Sequence, residues 1–587
     1  MVEPCACVKI EDWMKDFIHK LLAWTHLQER VYFLFALLYL VPNMVFFVTE
    51  PQEFPVRIAA MLIPLGVWLV LLALARKPGV VAACLLPKIV LDSGQLVALS
   101  VFGESVIAVD MLLNLTSSNA SEASELLSNI LKVIAGVLFF YVAPTLWLVY
   151  RSLRGRAQLT PSFRKRWSGI GVGLFVVGLL LGNLPSNPYD RLSWRYDVYP
   201  LNAVYNIGFA VRKAERNSNY AKTSADFRYE SVKQARAEGK REVYVLVVGE
   251  TSRAMEWSLY GYERPTTPRM ETTEGLVYFR DVVTQSNNTH KSVPIILSPA
   301  CAEDYDVIYR TKSIVSAFKE AGFRTLVIAN QKLTTSMINS YYHEADKLIN
   351  LNDIPTGSIL TSHYDGEIIP FLKEELKQTS GNLFVVLHTY GSHFNYHERY
   401  PASFRLFTPD KALGISAAYR EQLRNAYDNS IAYTDEVLGQ VVDLLRRQGD
   451  CSAMLYLSDH GEDIFDDARG RYLHASPIPT YYQLHIPYLI WFSKAYQEAF
   501  PQKYATTKAH EHTPASTNTV FHTMLDLASV QTLLSDSTKA LSHVAFQERN
   551  RMYLGDHDDP IPFWELDLKR QDFEMLDRQG IAYPKSE

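Results

Sequence analysis

Five apolar runs, each long enough to cross a bilayer, crowd into the first ~185 residues, and a span needs only about 17–25 residues. They are Val31–Val48, Ile58–Ala75, Val80–Phe102, Val133–Tyr150 and Ser168–Leu184. Short links join most of them, so a bundle of five transmembrane helices is expected rather than a water-soluble helical core. The third run carries Lys88 and Asp92, which share one helix face four residues apart. A structural ion pair and a substrate role are both open, with the structural pair slightly favoured.

Loop charge sets the orientation. Lys9, Lys15, Lys20 and Arg30 precede the first run. Arg76 and Lys77 lie between the second and third runs. Arg151, Arg154, Arg156, Arg164, Lys165 and Arg166 lie between the fourth and fifth. The stretch 103–128 has no Lys or Arg, and only Arg57 lies between the first two runs. The N-terminus is therefore expected in the cytoplasm, with everything after residue 186 outside. No apolar segment with a small-residue cleavage site occurs in the first 30 residues, so no cleaved leader is expected. Trp13, Phe17, Leu21 and Trp24 instead fall at helical spacing, as in an amphipathic helix on the membrane surface or against the bundle. Residues 187–240, aromatic at first and then polar, read as a linker with bridging helices.

From residue 241 the pattern changes. Strand-length apolar runs at Glu242–Val248, Arg324–Ala329, Asn382–Leu387, Ala453–Leu457 and Ile486–Phe492 alternate with helical stretches at Ile314–Ala321, Glu367–Lys377, Ala418–Arg447 and Thr517–Ala528. This predicts an α/β domain over 241–587, with a mostly parallel sheet covered by helices on both faces. Sites in such folds gather at the carboxyl ends of strands. Glu250, His388 and the pair Asp459–His460 all sit there. Mixed carboxylate and imidazole ligands suit zinc. Thr289 and Ser292 are candidate nucleophiles at the start of a predicted helix, where free N–H groups favour a phosphate. A plain N-cap role for Thr289 is the competing reading. The net charge of −5 gives no basis for nucleic-acid binding. Cys301 and Cys451 are the two cysteines beyond residue 240, so that half can hold at most one internal disulfide, and no CxxC thiolate site exists.

Gly249-Glu250-Thr251-Ser252-Arg253, Leu259-Tyr260-Gly261-Tyr262, Ser292-Val293-Pro294 and Ser458-Asp459-His460-Gly461-Glu462, in this order and spacing, resemble the phosphoethanolamine transferase family of the alkaline phosphatase/sulfatase superfamily. The resemblance implies a zinc site on Glu250, Thr289, Asp459 and His460, with Thr289 as nucleophile. It implies that His393 and His474 hold the substrate phosphate or a further zinc, that His388 falls on a family histidine of the substrate site, and that His393 acts in catalysis. More loosely, it places Asn330 and Lys332 near the substrate. It further implies a phosphatidylethanolamine donor, a lipid A, core-sugar or other periplasmic glycan acceptor, an inner-membrane location with a periplasmic catalytic domain, and a monomer. Two departures stand out: Gln285 and Ile295 replace the cysteines of lipid A-modifying members, and Asn287-Asn288-Thr289-His290-Lys291 replaces a segment of small residues. A phosphoglycerol transferase of the lipoteichoic-acid-synthase type shares the architecture. A sulfatase would need Arg where Ile296 stands. A non-enzymatic membrane scaffold is the third alternative.

Overall fold

The computed structural model describes residues 28–50, 52–102, 106–117, 131–186, 191–331, 336–354, 363–476 and 478–584. The expected amphipathic segment around Trp13–Trp24, and Lys332, lie outside the described residues. The chain divides into two compact units: Met1–Ala108 with Leu126–Gly208, and Val109–Glu125 with Phe209–Glu587.

In the first unit, helices α1 (Gln28–Thr49), α2 (Phe54–Leu72), α5 (Leu131–Arg154) and α6 (Pro161–Gly182) are each long and apolar enough to cross a membrane. The third apolar run is broken into α3 (Pro78–Cys84) and α4 (Leu86–Phe102). The two pieces meet at 67°, so the described residues hold four such helices, or five if the bent pair is one span. The break follows from Pro87: its ring would clash with the carbonyl four residues back, and it lacks an N–H to continue the ladder. Glycine sets the closest helix approach. A Cβ on Gly66 of α2 would lie 2.5 Å from the Gly171 carbonyl of α6, and one on Gly171 would lie 2.7 Å from the Gly66 carbonyl.

Lys88 and Asp92 sit on α4 and pair at 2.6 Å. The Asp92 carboxylate also accepts hydrogen bonds from Tyr141 and Tyr199, and the Lys88 ammonium donates to the Tyr39 carbonyl. The rings of Tyr39, Trp68 and Tyr199 surround that ammonium at 4.8–5.5 Å. Each charge is neutralised and hydrogen-bonded inside the unit, which is what a buried structural pair requires.

The second unit is built on a seven-stranded sheet. Its strands are β1 (Glu242–Gly249), β2 (Leu276–Tyr278), β3 (Arg324–Ala329), β4 (Lys347–Asn350), β5 (Leu383–His388), β6 (Cys451–Ser458) and β7 (Tyr488–Phe492), in spatial order β2-β7-β6-β1-β5-β3-β4. Strands β6, β1, β5, β3 and β4 pair in parallel. Strand β7 runs antiparallel to both β6 and β2, so the sheet is mixed. The reversal has a physical origin: the chain between Ser458 and Tyr488 is a small hairpin and one turn of helix, not a crossover helix of the kind that returns a strand in parallel.

Period-two alternation places the core. Tyr244, Leu246 and Val248 face one buried layer; Val243, Val245 and Val247 face the other. Both faces are covered, which explains why β1 reads as a continuous apolar run. The 29-residue helix α8 (Arg420–Gln448) supplies much of one cover. Cys301 and Cys451 are both buried and free, so no disulfide joins them.

Candidate active site and metal centre

Register places the site. In the central sheet Gly249 pairs with Ser458, Val248 with His388, and His388 with Ala329. The carboxyl ends of four strands therefore lie level, and the loops leaving them carry Glu250, His388, Asn330 and Asp459–His460. The loop after β5 passes directly beneath Glu250. Gly391 there has φ +52°, and a Cβ at that position would sit 2.6 Å from the Glu250 carbonyl.

Thr289 opens helix α7 (Thr289–Leu297). The cap is its neighbour: Asn288 accepts from the His290 amide at 2.8 Å. The N-cap reading of Thr289 thus gives way, and the threonine hydroxyl is left for another use. It lies 3.2 Å from Glu250 Oε1 and 3.1 Å from His460 Nε2. Ser292, the other candidate nucleophile, is fully buried, and its hydroxyl has no hydrogen-bond partner among the described residues.

Glu250, Asp459 and His460 are all buried and can each place a ligand atom within 4.8 Å of the others. His460 donates from Nδ1 to the Gly461 carbonyl at 2.8 Å, which leaves Nε2 as a bare lone pair facing the cluster. Burial holds His460 down to about 4, so the ring is neutral. Its Nε2 lies 3.5 Å from Glu250 Oε1 and 3.4 Å from Asp459 Oδ2. Asp459 Oδ2 is buried without a hydrogen-bond partner among the described residues, while Oδ1 accepts from the amides of Thr251 and His460. Two carboxylate oxygens, an imidazole lone pair and the Thr289 hydroxyl therefore converge in one buried site. Such crowding of electron pairs in a dry site is unfavourable unless a cation joins them. The donor set is the kind that zinc takes.

The other expected residues divide. The His474 ring packs against that of His460 at a tilt of 41°, centroids 4.2 Å apart, and His393 lies 6.1 Å from His474. His474 therefore neighbours both the cluster member His460 and His393. His474 is oriented by Glu462, which accepts from its Nδ1 at 2.9 Å and from the Tyr396 hydroxyl at 2.7 Å. Burial pushes Glu462 up to about 7 and His474 down to about 3. His393 donates from Nδ1 to the Phe394 carbonyl. His388 Nδ1 meets the Tyr342 hydroxyl at 2.6 Å, and its Nε2 is buried without a partner among the described residues. Burial lowers this ring to about 3. The Asn330 amide is turned away, donating to Asp365 and the His363 carbonyl. Asp365 accepts as well from the amides of Tyr390 and Gly391, so Asn330 helps to hold the His393 loop.

Sequence reasoning missed Gln331, which donates to Glu250 Oε2 and to the Thr389 carbonyl, both at 3.1 Å. It also missed Tyr342 and Asp365, and it read Glu462 only as part of a motif. These are loop or helix-end polar residues, and no periodicity marks them.

The family described as Sulfatase matches residues 242–530, and the one described as Phosphoethanolamine transferase EptA/EptB matches residues 104–212. Phosphoethanolamine transferase EptA of Escherichia coli K12 is 33% identical over 309 residues, 50% of this chain and 54% of that protein. The match thus spans about half the length of that relative. Phosphoethanolamine transferase EptC of the same strain is 26% identical over 488 residues, 77% of this chain and 79% of its own. Among solved structures, the integral-membrane lipooligosaccharide phosphoethanolamine transferase A of Neisseria meningitidis shares the fold, with TM-score 0.68 and 23% identity, covering 87% of this chain and 97% of that one. The periplasmic domain of Escherichia coli EptC, solved in complex with Zn, has TM-score 0.51 and 26% identity, covering 57% of this chain and 97% of that one. Over residues 104–212 and 242–530 the chain is thus similar to the phosphoethanolamine transferases and to the sulfatase family.

Proposed function

We propose that this chain is an inner-membrane, zinc-dependent transferase. It moves phosphoethanolamine from phosphatidylethanolamine to a lipid A, lipopolysaccharide-core or other periplasmic glycan acceptor, through a phosphothreonine on Thr289. In this reading residues 1–186 anchor the enzyme, 187–240 bridge, and 241–587 form the periplasmic catalytic domain. The observation that carries it is the convergence of Thr289, Glu250, Asp459 and His460 at the start of a helix whose cap is supplied by another residue. The likeness to proteins named phosphoethanolamine transferase supports the choice of group transferred.

A zinc ion bound by Glu250, Asp459, His460 and Thr289 would lower the pKa of the threonine hydroxyl and offset charge on the phosphoryl oxygens. The remaining chemistry belongs to side chains. Thr289 Oγ1 passes its proton to the Glu250 carboxylate at 3.2 Å. A bond from Oγ1 to phosphorus forms as the bond to the diacylglycerol oxygen breaks. That oxygen leaves with a proton from His393, whose Nδ1 is engaged with the Phe394 carbonyl. In the second half-reaction the acceptor oxygen attacks the phosphorus and passes its proton to His393, while the Oγ1–phosphorus bond breaks and Oγ1 retakes the proton held by Glu250. In this reading His388 and His474 hold phosphoryl oxygens, and the pair His393–His474 would hold a further zinc. Gln331 and the amides at the start of α7 steady the anionic side.

The test is Thr289→Ala in the full-length enzyme. Transfer should fall by at least about a thousandfold, with zinc content and unfolding temperature kept. Lipid mass spectrometry of cells with and without Thr289 identifies the acceptor by an added phosphoethanolamine. Full activity in Thr289→Ala would remove the nucleophile from the scheme.

A further inference from the structure

We propose that Lys291 is a positioning residue for Thr289, held by a carboxylate cage that includes Asp110. Residues two apart on a helix point to opposite sides. With Thr289 turned into the site, Lys291 of α7 points away from it, so it is no phosphate ligand. It is nevertheless fully enclosed, at 1% exposure. Its ammonium lies 2.9 Å from Asp110 Oδ2 and 3.4 Å from Asp558 Oδ1, and it donates to the carbonyls of Gly555 and Asp556 at 2.7 and 3.2 Å. The cage is itself braced. Lys213 pairs with the same Asp558 oxygen at 2.7 Å, and the Asp556 carboxylate caps the helix Val109–Ser117 through the amides of Val109 and Asp110. All of these groups lie in the second unit.

The same C-terminal segment also laces the residues just before the nucleophile. The Leu554 amide donates to the Gln285 carbonyl at 2.7 Å, and the Tyr553 hydroxyl donates to Asn287 Oδ1 at 2.7 Å. Thr289 is thus gripped from both sides of its helix start by one segment, and Lys291 is the grip on the helix itself. Two of the charges involved, Asp110 and Lys213, come from chain that follows the third and fifth apolar runs in sequence. The segment Asn287–Lys291 was singled out above because small residues usually stand there. The bulky, charged Lys291 is what allows this chain to tie the nucleophile helix to those distant segments.

The inference rests on Thr289 being the nucleophile, and the experiment separates the two. Full-length Asp110→Asn and Lys291→Met are compared with wild type and Thr289→Ala for zinc content, unfolding temperature, and kcat and KM on a headgroup-labelled phosphatidylethanolamine in mixed micelles. A small displacement of a reacting group can cost about 10²-fold. Asp110→Asn keeps an oxygen for the ammonium but loses the charge, and should lower kcat by roughly 10–100-fold with KM and zinc unchanged. Lys291→Met should do the same or more, and the double variant should be no worse than Lys291→Met alone. If Lys291→Met fails to fold, Asp110→Asn decides. Variants that unfold earlier yet keep wild-type kcat per zinc-loaded enzyme, while Thr289→Ala is dead, would overturn the positioning role alone. An active Thr289→Ala would overturn the proposed function instead.

Discussion

Glu462 touches neither Thr289 nor the three grouped ligands, yet it decides how His474 faces them. Its two oxygens are committed, one to His474 Nδ1 and one to the Tyr396 hydroxyl. Once Glu462 is ionised, above about 7, the hydrogen on Nδ1 is fixed and Nε2 is the lone pair presented to the site. Glu462→Gln offers an amide in place of the carboxylate, so the ring can flip or exchange tautomers. Partners that orient site histidines typically matter by roughly 10–100-fold. The expected outcome is a fall of that size in kcat with zinc at the Glu250–Asp459–His460 group retained, read by steady-state kinetics beside metal analysis. Unchanged kcat would show that His474 needs no such support. This dependence was not legible in the sequence. A motif can mark Glu462 as present, but the distance from residue 462 to residue 474 along a loop says nothing about which atom meets which.

At the scale of elements, the strands that were legible are those whose two faces are both buried. Glu242–Gly249, Arg324–Ala329, Leu383–His388 and Cys451–Ser458 are apolar throughout because each contributes to two cores. The edge strands Leu276–Tyr278 and Lys347–Asn350 are three and four residues long, too short to carry a period. The direction of Tyr488–Phe492 depends on its connection, which composition does not reveal. The break in the third apolar run was signalled by Leu86-Pro87, but hydropathy alone passes over it. The site was legible to the extent that its ligands sit on strand ends. The loop that carries His393 was legible as a position but not as a shape. That shape depends on Gly391, whose left-handed backbone lies against Glu250. Gly391→Ala would put a carbon 2.6 Å from one Glu250 backbone atom and 2.9 Å from another, so one of the two segments must move. Strain of this kind costs about 1–3 kcal/mol. The expected result is a lower unfolding temperature together with weakened zinc binding, since Glu250 is displaced. A variant with wild-type stability and zinc content would show that the two loops are not locked together.

At the scale of the whole molecule, burial of the metal group sets how the enzyme should respond to acid. An imidazole free in the unfolded chain titrates near 6.5. In the folded, metal-free chain burial holds His460 down to about 4. Because the folded value is the lower one, the unfolded state takes up the proton first as pH falls. The contribution of His460 to stability is therefore complete above about 6.5 and is lost as pH drops towards 4, with a slope of up to about 1.4 kcal/mol per pH unit for one such group. The consequence for zinc has the same sign but a different midpoint. Protons compete with the ion only where the folded ring can accept them, so Nε2 stays open to metal well below the pH at which an exposed histidine would close. The expected behaviour of the full-length protein in detergent, equilibrated at stepped pH with a fixed low zinc concentration, is a constant zinc-to-protein ratio from pH 7 to about 5 and loss below that. Chelation at pH 7 should lower the unfolding temperature, because zinc bound to the folded chain alone stabilises it by mass action. Zinc loss centred near pH 6.5 would mean that the imidazole is not enclosed as these distances describe, and that the convergence of Glu250, Asp459 and His460 around Thr289 does not form in solution.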